Sequence, residues 1–517
     1  MKSIRILWTD DEIDLLRPHI LFLEAKGFEV STASNGDDAI DEVRKQDFDL
    51  IFLDENMPGL SGLETLSKIK EIKASIPVIM ITKSEEEDIM DQAIGSKIAD
   101  YLIKPVNPKQ ILLSIKKNID TKRLISEKTL SGYQTEFSKI GMQISEANSF
   151  ETWVDLYKKL VYWELELEQN EEAGMQEVFQ MQKSDANKSF GRYIKKNYEQ
   201  WFSNDSDKPM MSPNLIKDRV FPLLDQGQKV FFIVIDNFRY DQWKLIQPMM
   251  NEYFTVEKEE LYCSILPTAT QYARNSIFAG LMPLEIDKLY PEFWLNDEEE
   301  GGKNMKEEEL LQTQLKRHSK RYKCFYEKVS HLKTGEKLVE NVSDLFNNDL
   351  NVLVYNYIDM LSHARTEIEM IRELANDEPA YRSLTLSWFK HSPLFTLIKE
   401  LQQKNVKIII TTDHGTVRVQ NPVKVVGDKN TSTNLRYKNG RNLNYNPKEV
   451  FEIRNPEKAH LPKSNISTSY IFALNNDFLA YPNNFNYYVN YYKDTFQHGG
   501  VSMEEMIIPF ITLKPNN

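Results

Sequence analysis

A chain of 517 residues, 41% of them hydrophobic, is too long for one ordinary domain and rich enough to build two or three cores. Its 77 acidic against 64 basic residues leave a net charge of -13, which argues against a polyanion-binding surface over the whole molecule but allows a local basic groove. With Cys263 and Cys324 alone there is no disulfide framework and no cysteine-based zinc site. The opening MKSIRILWTDDE is no signal peptide, and no run approaches the roughly 20 apolar residues of a membrane span, so a cytoplasmic protein without membrane insertion is expected.

Over residues 1–120 the apolar runs IRILW, FEVSTA, FDLIFLD, PVIMIT and DYLIK alternate with amphipathic stretches such as GDDAIDEVRKQ. That alternation predicts a five-stranded, doubly wound parallel sheet. Asp10 and Asp11 follow the first strand, Asp54 ends the third in LDENMPGLSG, Thr82 ends the fourth, and Lys104 ends the fifth ahead of Pro105. The carboxyl ends of such strands share one crevice. Three carboxylates there repel one another unless a divalent cation sits among them, and Mg²⁺ suits oxygen ligands. Asp54 could then attack an incoming phosphoryl group, with Thr82 and Lys104 supplying a hydroxyl and a cation to its oxygens.

The DD, LDxxMPG, T and KP signatures of this region resemble a response-regulator receiver domain over its whole length. The resemblance implies phosphorylation of Asp54 by a sensor histidine kinase. It implies Mg²⁺ held by Asp10, Asp11, Asp54 and the backbone carbonyl of Asn56, and a switch formed by Thr82 and Tyr101 with Lys104. One departure is Lys83, where the family has a small residue; its bulk would restrict water and alter the lifetime of the acyl phosphate.

From 121 to 205 the strand signal is lost. Phe150, Val154, Tyr157, Val161 and Leu165 recur at helical spacing, which predicts a helical bundle or linker. Over 206–517 strands are expected around VFFIVID, LYCSIL, KCFYEKV, NVLVYNYID, VKIIITTD, SYIFALN and MIIPFITLK, forming a second, larger α/β sheet. Two polar excursions interrupt it. NDEEEGGKNMKEEEL at 296–310 is read as a solvated acidic insertion. GDKNTSTNLRYKNGRNLNYN at 427–446 is basic, rich in Asn, and carries Tyr437 and Tyr445.

The chemistry of the third region lies at its strand ends. VFFIVID ends on Asp236, NVLVYNYID on Asp359, and the strand before DHG runs into Asp413 and His414. With Thr270, His363 and His498 these groups suit two hard-to-borderline divalent cations such as zinc or manganese. Asp236, Asp413 and His414 could hold one ion that Thr270 also touches. Asp359 and His363, one helical turn apart in DMLSH, could share the second with His498 of QHGG. Two ions about 3.5–4 Å apart stabilise both the attacking and leaving oxygens of a phosphoryl transfer, and a metal would activate the otherwise weak Thr270 hydroxyl. Singly these elements are weak, since an aspartate at a strand end is often only a helix cap.

Their joint order, Asp…PTxT…DxxxH…DHG…HGG, resembles the alkaline phosphatase superfamily. PTATQYAR and the run from GDKNTSTNLRYKNGRNL to HGGVSMEEMIIP look like its PglZ family, over residues 206–517. The resemblance implies two Zn²⁺ ions on the ligands above and Thr270 as a nucleophile that becomes phosphothreonine. The order of receiver, helical region and PglZ domain is similar to the PorX-like response regulators associated with type IX secretion.

The expectation is a response regulator whose output is a zinc-dependent phosphodiesterase. A nucleotide or oligonucleotide substrate is expected because Lys429, Arg436, Lys438 and Arg441 could hold phosphates while nearby tyrosines stack on bases. No third-metal signature of a monoesterase is evident. Phosphorylation is expected to promote a homodimer. The alternative reading is a metal-holding module that docks a transcription or secretion machinery protein. A DNA-binding output is disfavoured because no helix-turn-helix follows residue 121.

Overall fold

A computed structural model describes residues 4–73, 76–83, 98–169, 173–203, 208–297, 299–375, 377–427 and 431–516. The chain divides into two units, Met1–Thr135 and Glu136–Asn517.

In the first unit the strands are β1 (Ile4–Thr9), β2 (Phe28–Ala33), β3 (Leu50–Asp54), β4 (Val78–Thr82) and β5 (Asp100–Ile103). They pair in the order β2-β1-β3-β4-β5, all parallel, as the strand–helix alternation predicts. Alternate side chains feed two cores. Leu7, Ile51, Leu53 and Met80 pack with Ala39, Ile40 and Leu66 on one face; Ile6, Trp8, Phe52, Ile79 and Ile81 pack with Leu23, Ile111 and Ile115 on the other. Covering both faces is why β3 and β4 are unbroken apolar runs, buried from end to end. The helices are α1 (Arg17–Glu24), α2 (Gly36–Lys45) and α3 (Gly62–Ile72). Asn35 caps α2 by accepting from the Asp38 amide, and Ser61 with Glu64 forms a capping box on α3. Helix α4 (Pro108–Glu146) carries the chain from the first unit into the second.

The second unit opens with α5 (Phe150–Glu168) and α6 (Ala173–Asn197). Phe150, Tyr157 and Val161 are buried as expected, but the centre of the face is Trp153, Leu156, Leu160 and Trp163, while Val154 and Leu165 are only half-buried. The face is wider than the single stripe read from sequence because the helix packs against both α6 and the C-terminal region. Tyr157 lies 6.1 Å from Tyr240, and Glu164 faces Lys183 and Arg382.

Strands β6 (Lys229–Ile235), β7 (Phe254–Cys263), β8 (Cys324–Val329), β9 (Leu350–Tyr355) and β10 (Val406–Thr411) are followed by β11 (Tyr437–Gly440), β12 (Val450–Ile453), β13 (Ser469–Ala473) and β14 (Ile507–Pro515). Six of them form one sheet in the order β7-β14-β10-β6-β9-β8. β10, β6, β9 and β8 run parallel, while β14 runs antiparallel to both β10 and β7. The SYIFALN strand departs from expectation. It is β13, and it pairs with β11 and β12 in a separate three-stranded sheet, so its apolar residues serve a satellite core of Val423, Val425, Val450 and Leu479.

Candidate active site

Because β10, β6 and β9 are neighbouring parallel strands, the loops after them open at one edge. Asp236 follows β6, Asp413 and His414 follow β10, and all three are essentially inaccessible. His414 Nε2 lies 3.7 Å from Asp236 Oδ1 and 3.8 Å from Asp413 Oδ2. Those spacings are too long for hydrogen bonds but near the roughly 3.4 Å that separates two ligands on a tetrahedral ion with bonds of about 2.0–2.1 Å. Asp236 Oδ1 and Asp413 Oδ2 are buried without a hydrogen-bond partner, a costly arrangement that a shared cation would relieve. His414 Nδ1 sits 3.1 Å from the Gly415 carbonyl oxygen, to which its N–H donates, leaving Nε2 as the ligand face. Thr270 begins helix α7 (Thr270–Ala279), and its Oγ1 is 3.2 Å from that Nε2.

The second trio assembles beside it. Asp359 and His363 share α8 (Tyr357–Glu367), with His363 Nε2 3.6 Å from Asp359 Oδ2. His498 Nε2 is 3.6 Å from Asp359 Oδ1, another buried oxygen without a hydrogen bond. His498 Nδ1 lies 3.2 Å from the Thr268 carbonyl oxygen, which again turns Nε2 toward the carboxylate. Within each trio the ligand atoms lie within 4.8 Å of one another. The donor sets therefore fit two divalent ions. The His414 and His498 rings are 4.2 Å apart, and the His363 side chain is 61% exposed, so the second trio faces solvent.

Electrostatics agree with this arrangement. Burial, reinforced by Asp236, pushes the Asp413 carboxyl well above its usual range and that of Asp359 to about 6. Burial acts upward on Asp236 too, but Arg274 and His414 outweigh it and hold that carboxyl low. Burial lowers His414, and lowers His498 to about 4, which leaves both imidazoles in the neutral form that ligates metal.

Several residues around the ligands are not singled out by the sequence reading. Arg274, one turn after Thr270 on α7, is fully buried; its Nη1 donates to Asp236 Oδ2 at 2.7 Å and its Nε to Glu307 at 2.7 Å. Glu307 is 1% exposed, which corrects the reading of 296–310 as a wholly solvated insertion: the far end of that segment supplies the counter-charge for Arg274. The four-residue spacing from Thr270 to Arg274 in TQYAR was the available signal. Thr268 joins PTAT to HGG, its hydroxyl donating to the Gly500 carbonyl at 2.8 Å and accepting from the Gly499 amide at 3.1 Å. The DHG and HGG motifs both need glycine for room. A Cβ at Gly415 would meet the Glu504 carbonyl oxygen at 2.0 Å, and one at Gly500 would meet the Arg436 guanidinium at 2.9 Å.

The 427–446 segment departs most from expectation. Lys429 lies outside the described residues. Arg436 is fully buried, its Nη2 2.6 Å from Glu505 Oε2, and Glu505 Oε1 in turn accepts from the Gly500 amide at 2.9 Å. Lys438 is buried too, donating to the Ser432 and Asn434 carbonyls at 2.9 Å. These two cations brace the HGG loop and its neighbours, which corrects the expectation that they hold substrate phosphates. Arg441 is exposed, and Tyr445 turns away to bond Glu452. Tyr437 does reach the site: with His363, His498, Asp297, Lys303 and Tyr491 it lines a cavity of about 550 Å³ beside the second trio.

In the first unit Asp10 and Asp54 are buried and face Lys104, whose Nζ is 2.8 Å from Asp10 Oδ2 and 3.0 Å from Asp54 Oδ1. Burial raises the Asp54 carboxyl even against that ammonium. Asp10, Asp11 and Glu12 present carboxylate oxygens within 4.8 Å of one another, a donor set that suits Mg²⁺. Glu12, absent from the sequence reading, pairs at 2.8 Å with Lys83. Thr82 is buried at the end of β4, Tyr101 packs against the α2–α3 core, and Asn56 is exposed just past Asp54.

A family model for the response regulator receiver domain matches residues 6–116, one for the PorX response regulator linker domain matches 123–202, and one for the BREX system PglZ alkaline phosphatase-like domain matches 215–513. Among curated proteins, the transcriptional regulatory protein ResD of Bacillus subtilis is 38% identical over 22% of this chain and 48% of its own length. ZraR of Klebsiella oxytoca is 31% identical over 27% of this chain and 32% of its own. The chain thus spans about half or less of the length of these curated relatives. A solved receiver domain protein from Clostridium thermocellum is 32% identical, covering 23% of this chain and 98% of that one, with a TM-score of 0.23. Among the described residues no helix is long and apolar enough to cross a membrane. With receiver, linker and alkaline phosphatase-like domains following one another in this order, the chain is a response regulator that belongs to the PglZ family.

Proposed function

We propose that phosphorylation of the receiver governs a C-terminal phosphodiesterase acting on nucleotide-type substrates with Thr270 as nucleophile. The observation that carries this reading is the Thr270 hydroxyl, at the start of α7 and 3.2 Å from a metal-facing His414 nitrogen, beside two adjoining ligand trios. Asp236, Thr270, Asp413 and His414 would hold one Zn²⁺ and Asp359, His363 and His498 the other. Bound there, the ions would offset charge on a transferring phosphoryl group and favour the deprotonated threonine. Thr270 Oγ1 would attack phosphorus, one ester oxygen would leave and take up the proton that the hydroxyl gives up, and a covalent diester linking Thr270 to the rest of the substrate's phosphate would form. Water then attacks phosphorus, releasing a phosphomonoester and restoring the hydroxyl. Arg274 holds Asp236 ionised and oriented throughout. A diester is favoured because the cavity beside His363 and His498 leaves room for a second substituent against Tyr437 and Tyr491.

Residues 1–120 would act as the receiver, 121–205 as a transmitting helical region and 206–517 as the output. Asp10, Asp11, Asp54 and the Asn56 carbonyl would hold Mg²⁺, Asp54 would take its phosphoryl group from a sensor histidine kinase, and Thr82, Tyr101 and Lys104 would respond. The PorX-type linker supports a cytoplasmic role in type IX secretion control. The test is hydrolysis of bis(p-nitrophenyl) phosphate by the full chain loaded with Zn²⁺. Thr270→Ala should lower turnover roughly 1000-fold or more while two ions remain bound. Undiminished turnover in that variant would assign the chemistry to another group.

A further inference from the structure

Helix α6 belongs to the linker segment, yet three polar side chains lie among the residues it buries. Lys183, Asn187 and Tyr198, the last one residue past the helix end, recur at helical spacing with the apolar Phe190 and Ile194, and each is buried. Apolar side chains would hold the helix down without the desolvation cost that buried polar groups carry. What satisfied polar contacts add is a defined geometry on the far side of the seam.

That far side is where the loops of the candidate active site meet. Asn187 Oδ1 accepts from the Met503 amide at 2.8 Å, and its Nδ2 donates to Glu504 Oε2 at 2.9 Å. Lys183 Nζ lies 3.1 Å from Glu504 Oε1 and 2.8 Å from Glu164 Oε2. Met503 and Glu504 open the single turn α9 (Met503–Met506). From the same turn, the Glu505 side chain accepts the Gly500 amide of HGG at 2.9 Å and its main-chain carbonyl accepts the Gly415 amide of DHG at 3.2 Å. The Met506 carbonyl accepts the Ser264 amide at 2.8 Å, and the Ser264 hydroxyl donates to the Asp413 carbonyl at 2.6 Å. Further along, the Tyr198 hydroxyl accepts the Leu266 amide at 2.7 Å, four positions before Thr270. Asn187 thus bears on the loops that carry His414 and His498, and Tyr198 on the loop that carries Thr270.

We propose that Asn187 and Tyr198 are positioning residues of the C-terminal site: Asn187 fixes the α9 turn and through it metal binding, and Tyr198 fixes the loop that aims the Thr270 hydroxyl. The ligands belong to the segment matched as PglZ and these two residues to the segment matched as linker, so the linker completes the site as well as joining domains. A contact that orients a ligand loop governs affinity without touching the ion, because a loop left free must be ordered at the expense of binding. This rests on the two-metal phosphodiesterase reading above, and it adds which residues outside the ligand set hold the geometry.

The experiment uses the full-length protein and reads Zn²⁺ affinity by chelator competition, kcat and KM for bis(p-nitrophenyl) phosphate at saturating Zn²⁺, and folding by near-UV circular dichroism. Asn187→Leu removes both hydrogen bonds at similar volume, and Asn187→Asp sets a second carboxylate against Glu504. Each should weaken Zn²⁺ binding about 10–100-fold. Asn187→Asp/Glu504→Gln exchanges amide and carboxylate, keeps both hydrogen bonds, and should recover most of that loss. Tyr198→Phe removes one oxygen and keeps the ring against Trp201 and Phe451; it should lower kcat about tenfold or more with Zn²⁺ affinity and KM unchanged. Lys188→Gln, at an exposed neighbour on the same helix, should change none of these. Folded Asn187 variants that bind Zn²⁺ like the parent, or a loss that the exchange does not recover, would overturn the role of Asn187. Parent kcat in Tyr198→Phe would overturn that of Tyr198. If the Zn²⁺-loaded parent hydrolyses no diester while the Asn187 variants lose affinity and the exchange restores it, the hold on the metal loops stands and the phosphodiesterase reading falls, taking the Thr270 half with it.

Discussion

The imidazole rings of His414 and His498 stack 4.2 Å apart with planes at 15°, although they lie 84 positions apart in sequence. Each ring donates its Nδ1–H to a backbone carbonyl, Gly415 for one and Thr268 for the other, and each turns Nε2 toward a carboxylate oxygen without a hydrogen bond. The two candidate metal positions are thus adjacent because two loops are fixed by main-chain contacts, and those contacts can be tested separately from the ligands.

Thr268 is the first such contact. Its hydroxyl binds both glycines of HGG, so Thr268→Val should leave every ligand in place and yet loosen His498. Loss of an orienting partner typically costs 10–100-fold in metal affinity. The expected result is a second-ion affinity weaker by about that factor, with the first ion retained, read by competition with a chelator and metal analysis. Equal weakening of both ions would mean that the substitution disturbs the whole sheet edge instead.

Arg436 supplies the second. It lies buried against Glu505, which also holds the Gly500 amide, so Arg436→Gln would strand a buried carboxylate. Breaking such a pair costs about 3–5 kcal/mol, whereas Arg441→Gln, at an exposed position, should change stability by less than about 0.5 kcal/mol. Thermal unfolding of the two variants should separate them clearly. A mild effect at Arg436 accompanied by weaker substrate binding would reinstate the phosphate-holding role that its burial argues against.

What sequence made legible here was chemistry at strand ends. Asp236 and Asp413 closely follow β6 and β10, while Asp359, read as the end of a strand, stands in the first turn of α8 just after β9, so parallel neighbours carry all three to one edge whatever the intervening length. The basic residues of 427–446 were not legible in the same way, because local charge gives no sign of whether a side chain faces solvent or a buried partner 69 positions away, as Arg436 faces Glu505. Glu307 misled for the same reason, sitting in an acidic run yet facing Arg274.

A buried ionic network centred on Asp241 should contribute to stability on the acid side. Asp241 lies between Arg239, at 2.5 Å, and Arg382, at 3.0 Å. Burial acts to raise its carboxyl, but the two guanidinium groups outweigh that and hold it below the ordinary value of 3.8. The unfolded chain therefore binds a proton that the native protein refuses, and stability rises with pH through that window. The contribution is complete above about pH 4 and is lost as pH falls toward the lower folded value. Asp241→Asn should accordingly lower the thermal midpoint at pH 7, and the gap from the parent protein should narrow as pH is taken from 4 to 3. A gap of constant width would mean that Asp241 titrates alike in both states.

The last prediction concerns the receiver. Asp54 lies buried against Lys104, with Asp10 and Asp11 beside it and Thr82 at the end of the next strand. A phosphoryl group on Asp54 adds charge where Lys104 and Thr82 can meet it, and the expected consequence is a rearranged β5 edge that pairs with a second copy. Moving the receiver's own two-state equilibrium, between resting and dimer-competent forms, from 1:99 to 99:1 requires about 5.5 kcal/mol of differential stabilisation, within reach of a few charge-assisted hydrogen bonds. Beryllofluoride with Mg²⁺ should therefore shift the full chain toward dimer in light scattering and change its rate of diester hydrolysis, whereas Asp54→Ala should respond in neither. Saturating mimic with no change in mass or rate would show that the receiver does not act through self-association. A change in mass without a change in rate would assign the dimer to partner binding and leave hydrolysis under separate control.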